Sequence, residues 1–515
     1  MKQPLRTYLP LAGITALGAT LRFLQIGAEG LWIDEAFSVW LGQRPLAEMV
    51  RWVATVDQHP PLYYTLLSGW IRVLGDGEAS ARSLSALLST LTLPVAYLLG
   101  RRVGDARVGL LCAVILAVSP FHVRFGQEAR MYALMTLSGS LGLYAAMELL
   151  GNGGRMSGNS GDRTGSTLPW IGYVVCAATM LWTHNAAVLF PIALNLVVLG
   201  RDLAERRRCP RSTLPSRGRA RWPRAWFLAQ ASVFVLWLPW LPTFVSQAAG
   251  VYRRFWIPPP TLATVLGVIS EFLCGFLPLS SAGVVVVNVA LAAVAILGVR
   301  RLRHRPGVNA LLLTMFLVPI LGECIVSVWR PILYARTLIW ASIPLYLMLA
   351  SGLSAIEVEL SSRAGVLVAL GFVAAANGLG LCGYYHNFEK EAWDDAAALV
   401  AGYVRADDLL LFNDAWGQIP FDYYFERLYN REVVEHGLPV DLFDRGVLEP
   451  VMTARDLPRM RALTDGRARV WLVTSHAWYT DPERLIPRAL EEDLSILDRW
   501  AFHGVRVTLY GRGDG

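Results

Sequence analysis

Lysine is nearly missing from this chain: Lys2 and Lys390 are the only two, although lysine and arginine together number 47 of the 515 residues. The formal net charge of +7 is therefore almost wholly guanidinium. Charge of either sign is scarce, at 17% of residues against 54% hydrophobic, and a mean hydropathy of +0.41 is too high for a soluble chain of this length. The six cysteines, Cys112, Cys176, Cys209, Cys274, Cys324 and Cys382, show no short metal-ligand spacing. That pattern argues against a zinc site and a disulfide framework and leaves small buried hydrophobes. Also absent are a glycine-rich nucleotide fingerprint, an internal repeat at a solenoid period, and the paired broken helices of an inverted-repeat transporter.

What is present is a succession of apolar runs before residue 382, each near the about 20 residues that span a bilayer core. Arginines cluster between the runs, the pattern of the positive-inside rule rather than of a nucleic-acid surface, so no nucleic-acid partner is expected. The first run, Tyr8 to Ile26, is long, interrupted by Arg22 and without a small-residue cleavage site, which reads as a retained helix and not a signal peptide. With Lys2 and Arg6 cytoplasmic, helix 1 leads outward. Helices 2 (Ser83 to Leu99), 3 (Val108 to Phe121) and 4 (Met131 to Leu150) follow, then a hairpin of helices 5 and 6 turning at His184 and Asn185. The arginine-rich segment Arg201 to Arg224 fixes the cytoplasmic side. Helices 7 (Ala225 to Val245), 8 (Ala282 to Leu297), 9 (Val308 to Val328), 10 (Ala335 to Leu353) and 11 (Ala364 to Leu381) complete about eleven spans. The stretch Thr261 to Leu279 has to stay on the outer face, re-entrant or interfacial, or RRLRHR at Arg300 to Arg305 would fall outside.

The first outer loop, residues 28–82, holds two amphipathic patterns. Leu46, Met49, Val50, Val53 and Val56 recur at helical spacing, as do Leu62, Leu66, Leu67, Trp70 and Leu74 after a Pro-Pro break. These read as surface helices rather than spans. From Gly383 the character changes: DLLLFND, ARVWLVTS and GVRVTLYG are short β-rich runs alternating with helical stretches. The predicted organisation is a transmembrane domain, 1–382, and an extracytoplasmic α/β domain, 383–515. The chain reads as a polytopic α-helical membrane protein, N-terminus cytoplasmic and C-terminal domain outside; the bacterial plasma (inner) membrane is what the family resemblance described below implies.

The polar clusters all fall on the predicted outer face. Asp34 and Glu35 lie in the first loop, and Asp57 and His59 stand between its two surface helices. Gln127, Glu128 and Arg130 follow helix 3, Arg253 and Arg254 follow helix 7, and Arg330 and Arg336 flank the turn between helices 9 and 10. Carboxylates and arginines on one membrane face suit an anionic, lipidic substrate. Taken alone, each has a plainer reading. Asp34 is either a proton acceptor or the N-cap of a short helix starting at Glu35 or Ala36. Arg22 reads as a snorkelling residue, Arg130 as a phosphate ligand, a partner of Glu128 or a snorkelling residue, and His184 with Asn185 as a cap of the hairpin. Glu323, an acid in the outer half of helix 9, is a functional candidate by its placement.

The order LWIDEAFS, DQHPPLYYTLL, FGQEARMYAL and RPILYARTL resembles the membrane glycosyltransferases of the C superfamily (GT-C), specifically the bacterial family 39 relatives of protein O-mannosyltransferases and lipid A aminoarabinose transferases. The resemblance covers residues 5 to 355 together with the multi-span layout and outer tail. It implies transfer of a sugar, mannose-like, from a polyprenyl-phosphate donor in the membrane lipid to a protein, glycolipid or polysaccharide acceptor, with inversion. A polyprenyl phosphate leaves readily once its charge is met, whereas the acceptor hydroxyl needs a base. By the motif match Asp34 is the catalytic base. Glu35, beside it, hydrogen-bonds the acceptor, tunes Asp34 or faces solvent. His59 precedes two prolines suited to a helix start, where free N–H groups favour anions. There the aminoarabinose transferases carry lysine, so the match at His59 is to the mannosyltransferases. Arg336 matches the family's arginine at the start of a late helix and suits two phosphate oxygens. Glu128, Arg130, Arg253 and Arg254 are further substrate-binding candidates.

No cofactor is required by the pattern, although Asp57, His59 and Glu128 could between them hold a divalent metal ion. Two rival functions remain at this stage: a lipid-linked-sugar transporter or flippase, and a non-catalytic membrane scaffold. A flippase would need polar residues leading across the membrane, and the cytoplasmic halves of the spans are almost free of acids.

Overall fold

The structure, a computed structural model, describes residues 3–151, 167–208, 221–250, 257, 259–360, 363–442 and 450–512. Its helices in chain order begin with α1 (Gln3–Phe23), α2 (Ile33–Gln43), α3 (Leu46–Thr55), α4 (Leu62–Leu74), α5 (Glu78–Val103), α6 (Ala106–Val118), α7 (Pro120–Gly126) and α8 (Tyr132–Gly151). Next come α9 (Leu168–Leu181), α10 (Leu189–Arg208), α11 (Arg221–Trp237), α12 (Leu241–Gly250), α13 (Leu262–Cys274), α14 (Ser281–Arg301), α15 (Pro306–Ser327), α16 (Ser342–Leu360) and α17 (Arg363–Asn387). Two compact units emerge. One comprises residues 1–24, 59–63 and 83–388; the other comprises 25–58, 64–82 and 389–515. Residues 25–58 and 64–82, most of the first loop, are thus grouped with the C-terminal segment. The last membrane helix, α17, runs five residues beyond the predicted division at 382, to Asn387.

The first unit is a bundle of apolar helices. Among the described residues eight helices are long and apolar enough to cross a membrane, or nine if α6 and α7, bent by 61° at Ser119, count as one span. The chain is thus built as a multi-pass membrane protein. Of the remaining expected spans, α9 has fourteen residues, about 21 Å at 1.5 Å per residue and short of the about 30 Å core. The equally apolar α13 has thirteen. Backbones approach closely where side chains are smallest. A Cβ on Gly298 of α14 would overlap the carbonyl oxygen of Met348 in α16, and one on Gly352 of α16 would overlap that of Val294 in α14. Glycine stands at both positions because no side chain fits, the usual solution for helices packed in lipid.

Buried polar groups tie the bundle further. Arg22 is fully buried, and its guanidinium donates to Ser89 Oγ (2.7 Å), Gly18 O (2.9 Å), Ala117 O (3.1 Å) and Leu116 O (3.1 Å). It clamps α1, α5 and α6, and the snorkelling reading of Arg22 is corrected: its donors are met by carbonyls inside the bundle.

The second unit has a five-stranded sheet, built from β1 (Leu409–Phe412), β2 (Val434–Gly437), β3 (Arg469–Thr474), β4 (Ser495–Phe502) and β5 (Val505–Gly511) in the order β2-β1-β3-β5-β4. The first three strands are parallel; β5 is antiparallel to both β3 and β4. Both faces are covered, which explains the uninterrupted apolar run of DLLLFND. Leu410 and Phe412 pack with Trp471 and Val473 against α18 (Trp393–Tyr403) and α19 (Gln418–Leu428). Leu409 and Leu411 pack with Val470 and Leu472 against α20 (Leu457–Thr464), with α21 (Ala477–Thr480) following β3, and against α22 (Leu485–Asp493).

Replacing Gly298 or Gly352 by leucine should force α14 and α16 apart and cost about 1–3 kcal/mol or more by overpacking. Thermal unfolding of the purified protein should show a clear drop for both variants. Gly371→Ala, at a position with open space around it, should unfold with the wild type.

Candidate functional site

In the second unit Asp34 and Glu35 occupy the first turn of α2 and go different ways. The N-cap of α2 is Trp32, in an extended conformation, with no side-chain cap bond. Asp34 therefore does not cap the helix, and the N-cap alternative is set aside. The first N–H of the helix, at Ile33, donates instead to Glu391 Oε2 at 3.3 Å, a carboxylate from the chain just before α18. A carboxylate there meets both an orphan donor and the positive end of the helix dipole. Asp34 is partly exposed.

Glu35 is fully buried. Arg82, at the start of α5, gives Nε to Glu35 Oε1 at 2.8 Å and Nη2 to Oε2 at 2.7 Å, and Lys390 Nζ adds a bond to Oε2 at 2.9 Å. The remaining guanidinium donors go to the carbonyls of Ile26, Glu29 and Gly30. Each of these groups is bought out of water by the others, since an isolated buried charge is untenable. Both oxygens of Glu35 thus hold cations inside the protein, and the solvent-facing reading of Glu35 is corrected. Arg82, Lys390 and Glu391 were missed in the sequence. The one available signal was Lys390, the only lysine beyond the second residue. Burial raises the carboxyl groups of Glu29 and Glu391, the latter also through the charge of Asp34, while Lys390 and His476 respectively act against the shift.

Asp57 is buried in the same unit. Its two oxygens accept from Gln58 N and Tyr64 Oη, both at 2.8 Å. That is a turn-stabilising role.

In the first unit, His59 opens the Pro-Pro turn ahead of α4. The rings of His59 and His184 lie 5.0 Å apart edge to face, and Tyr132 is 6.4 Å from His184. Leu62 N donates to Trp182 O at 3.2 Å, fixing this turn against the end of α9. His184 Nδ1 accepts from Ala186 N at 3.0 Å and so caps the 3-10 turn Asn185–Val188, as its place in the hairpin led one to expect. Arg336 sits on the 3-10 helix Ala335–Ala341, its guanidinium 4.9 Å from the Tyr334 ring and 5.9 Å from the Tyr132 ring. His59, His184, Tyr132 and Arg336 are thus linked through aromatic faces. Glu323, fully buried, accepts from Thr337 Oγ1 (2.7 and 2.9 Å) and Tyr334 N (3.4 Å). It staples the start of the helix that carries Arg336, which gives a physical role to the acid that sequence placement alone had marked.

Glu128 and Arg130 are both buried. Glu128 pairs with Arg124 Nε at 3.2 Å, and Ser85 Oγ donates to the Arg130 carbonyl at 3.1 Å. The pairing of Glu128 is therefore with Arg124. Arg253 and Arg254 lie outside the described residues. Among the described residues no three of His, Cys, Asp or Glu stand together to hold a metal ion.

A family model described as dolichyl-phosphate-mannose-protein mannosyltransferase matches residues 58–215, the stretch holding His59, Glu128 and Arg130. No curated protein matches the chain by sequence. Among solved structures, ArnT from Cupriavidus metallidurans in the apo state aligns over 97% of both chains with a TM-score of 0.61 and 13% identity. The same protein bound to undecaprenyl phosphate aligns over the same shares at 0.59 and 13%. The oligosaccharyltransferase of Archaeoglobus fulgidus in the apo form aligns over 99% of this chain and 75% of its own, at 0.59 and 13%. The chain thus shares its fold, along nearly its whole length, with these membrane glycosyltransferase structures.

Lys390→Met or Glu35→Gln should destabilise the second unit by about 3–5 kcal/mol, the cost of stranding a buried charge. The pair of changes together should cost less than the sum, which a double-mutant cycle on thermal unfolding measures. Additive losses would show that the two groups do not interact.

Proposed function

We propose that the chain transfers a sugar from a polyprenyl-phosphate donor to an acceptor hydroxyl at the extracytoplasmic face, with inversion and with Asp34 as general base. The observation that carries this reading is the division between the two neighbouring acids. Glu35 is consumed by Arg82 and Lys390, while Asp34 stands partly exposed on the same turn without serving as its cap. A carboxylate so placed suits proton acceptance as the new glycosidic bond forms. The GT-C fold along nearly the whole chain supports the reaction class, and the ArnT structure bound to undecaprenyl phosphate supports a polyprenyl-phosphate donor.

In this reading Arg336 meets the phosphate, where a rigid guanidinium fork offsets the charge that develops on the leaving group. His59 assists at the Pro-Pro turn, and Arg130, Arg253 and Arg254 are secondary phosphate candidates. Glu128 acts through Arg124 rather than on substrate. Mannose is the proposed sugar on the strength of the family resemblance and the description of the matching model. A protein acceptor is favoured over a glycolipid or polysaccharide, since the oligosaccharyltransferase of the same fold was solved with an acceptor peptide. A plasma-membrane location, with the N-terminus cytoplasmic, follows from the arginine distribution.

The test is consumption of a panel of polyprenyl-phosphate pentoses and hexoses by the purified, reconstituted protein. Asp34→Asn should lower turnover by about 100-fold or more, the usual loss for a general base, with donor affinity retained. Arg336→Lys should weaken donor binding, and His59→Ala should do so more mildly. Turnover unchanged in Asp34→Asn would remove the base, and flipping of donor without consumption would favour a transporter.

A further inference from the structure

We propose that Glu391, His476 and Asp414 form a carboxylate–imidazole–carboxylate chain that positions Asp34 and sets the pH range over which it can accept a proton. This rests on the reading of Asp34 as the base. All the residues involved belong to the second unit.

The topology supplies the place. From β1 the chain goes first to β2 on one side and later returns to β3 on the other, so the gap between β1 and β3 is a topological switch point. Beyond the carboxyl ends of such strands an α/β sheet presents its functional side chains. Asn413 and Asp414 follow β1; Ser475 and His476 follow β3. The two strand ends are tied together, Ser475 N donating to Asn413 Oδ1 at 2.8 Å and Asn413 N to Val473 O at 3.1 Å.

His476 has a φ of +50°, a left-handed conformation uncommon outside glycine that persists only where surroundings enforce it. The conformation aims its ring at two acids. Nε2 is 3.2 Å from Glu391 Oε1, and Nδ1 is 3.9 Å from Asp414 Oδ2 and 3.0 Å from Ser475 Oγ. Asp414 Oδ1 accepts from Trp416 N at 3.1 Å, whereas its Oδ2 is buried without a hydrogen-bond partner. The other oxygen of Glu391 accepts from Trp393 Nε1 at 2.7 Å and from Ile33 N, the residue next to Asp34. The contacts thus run from Asp414 through His476 and Glu391 to the turn that carries Asp34.

The charges make this arrangement consequential. Burial pushes Asp414 up to about 6 and raises Glu391; His476 opposes both shifts, and the charge of Asp34 raises Glu391 further. The neighbouring ionisable groups are committed elsewhere. Lys390 and Arg82 hold Glu35, with Glu29 beside them. Asp394 of α18 lies against Gly30, and at the β4–β5 turn His503 pairs with Glu389 at 3.2 Å. His476 faces Glu391 at 3.2 Å, and a proton on its ring would balance the acids around Asp34. Removing that cation favours protonation of the acids, and the base is lost at a higher pH. Removing Glu391 takes away a like charge, and the base persists to a lower pH.

The experiment measures polyprenyl phosphate released from polyprenyl-phosphate mannose by the full-length reconstituted protein between pH 5 and 9. His476→Gln should move the acidic limb of kcat upward by about 0.5–1 pH unit, the size of shift a single near charge produces. Glu391→Gln should move it downward and lower its plateau, since α2 loses its cap. His476→Lys, which keeps a cation, should leave the limb within about 0.2 of the wild type, and KM for the donor should stay within about twofold in all three. Limbs that coincide with the wild type in His476→Gln and Glu391→Gln, or that move in the same direction, overturn the proposal. Asp34→Asn run alongside separates the two ideas. Its retained turnover overturns the base itself, whereas Asp34-dependent turnover with an unmoved limb overturns only the chain behind it.

Discussion

A buried carboxylate has to be answered by buried cations, and that requirement at Glu35 organises the second unit of this protein. Its partners lie 47 residues away at Arg82 and 355 residues away at Lys390. Once all three are dry, the first loop, the start of α5 and the C-terminal segment have to fold as one body, because separating them would strand charge in a low-dielectric interior. The further donors of Arg82 bind the backbone carbonyls of residues 26, 29 and 30, so the approach to α2 is fixed by the same interaction. The near absence of lysine elsewhere makes Lys390 the more telling.

That constraint divides the labour between two adjacent acids. Successive residues on a helix point about 100° apart. Glu35 is held inward, whereas Asp34 remains partly exposed. Its helix is capped from outside by Glu391, so Asp34 is not called upon for that task either. A partly exposed carboxylate on a well-anchored turn offers what a proton acceptor requires: fixed position and access to substrate.

The membrane unit follows a related economy. Glu323 holds the start of the helix bearing Arg336, and Arg22 joins three helices through backbone carbonyls. Charges inside the bundle are retained where each donor or acceptor finds a partner. Close contact at Gly298 and Gly352 supplies the dispersion that hydrophobic burial cannot supply in lipid. Sequence placement flagged Glu323 but not its partner, since Thr337 is fourteen residues away and the intervening turn hides the contact.

Hydropathy and arginine spacing were sufficient to read a multi-pass helical membrane protein with a β-containing tail, because burial of apolar runs is dictated locally by the solvent each run meets. Motif order carried the resemblance to the GT-C glycosyltransferases, whose fold the chain shares, and singled out Asp34, His59, Glu128 and Arg336 as candidates. Only the tertiary structure showed that Glu35 pairs with Arg82 and Lys390, that Ile33 N of α2 donates to Glu391, that Glu128 pairs with Arg124, and that most of the first loop is grouped with the tail. Each of these depends on a pairing between charges remote in the chain, and in a single sequence a charge shows its sign but not its partner.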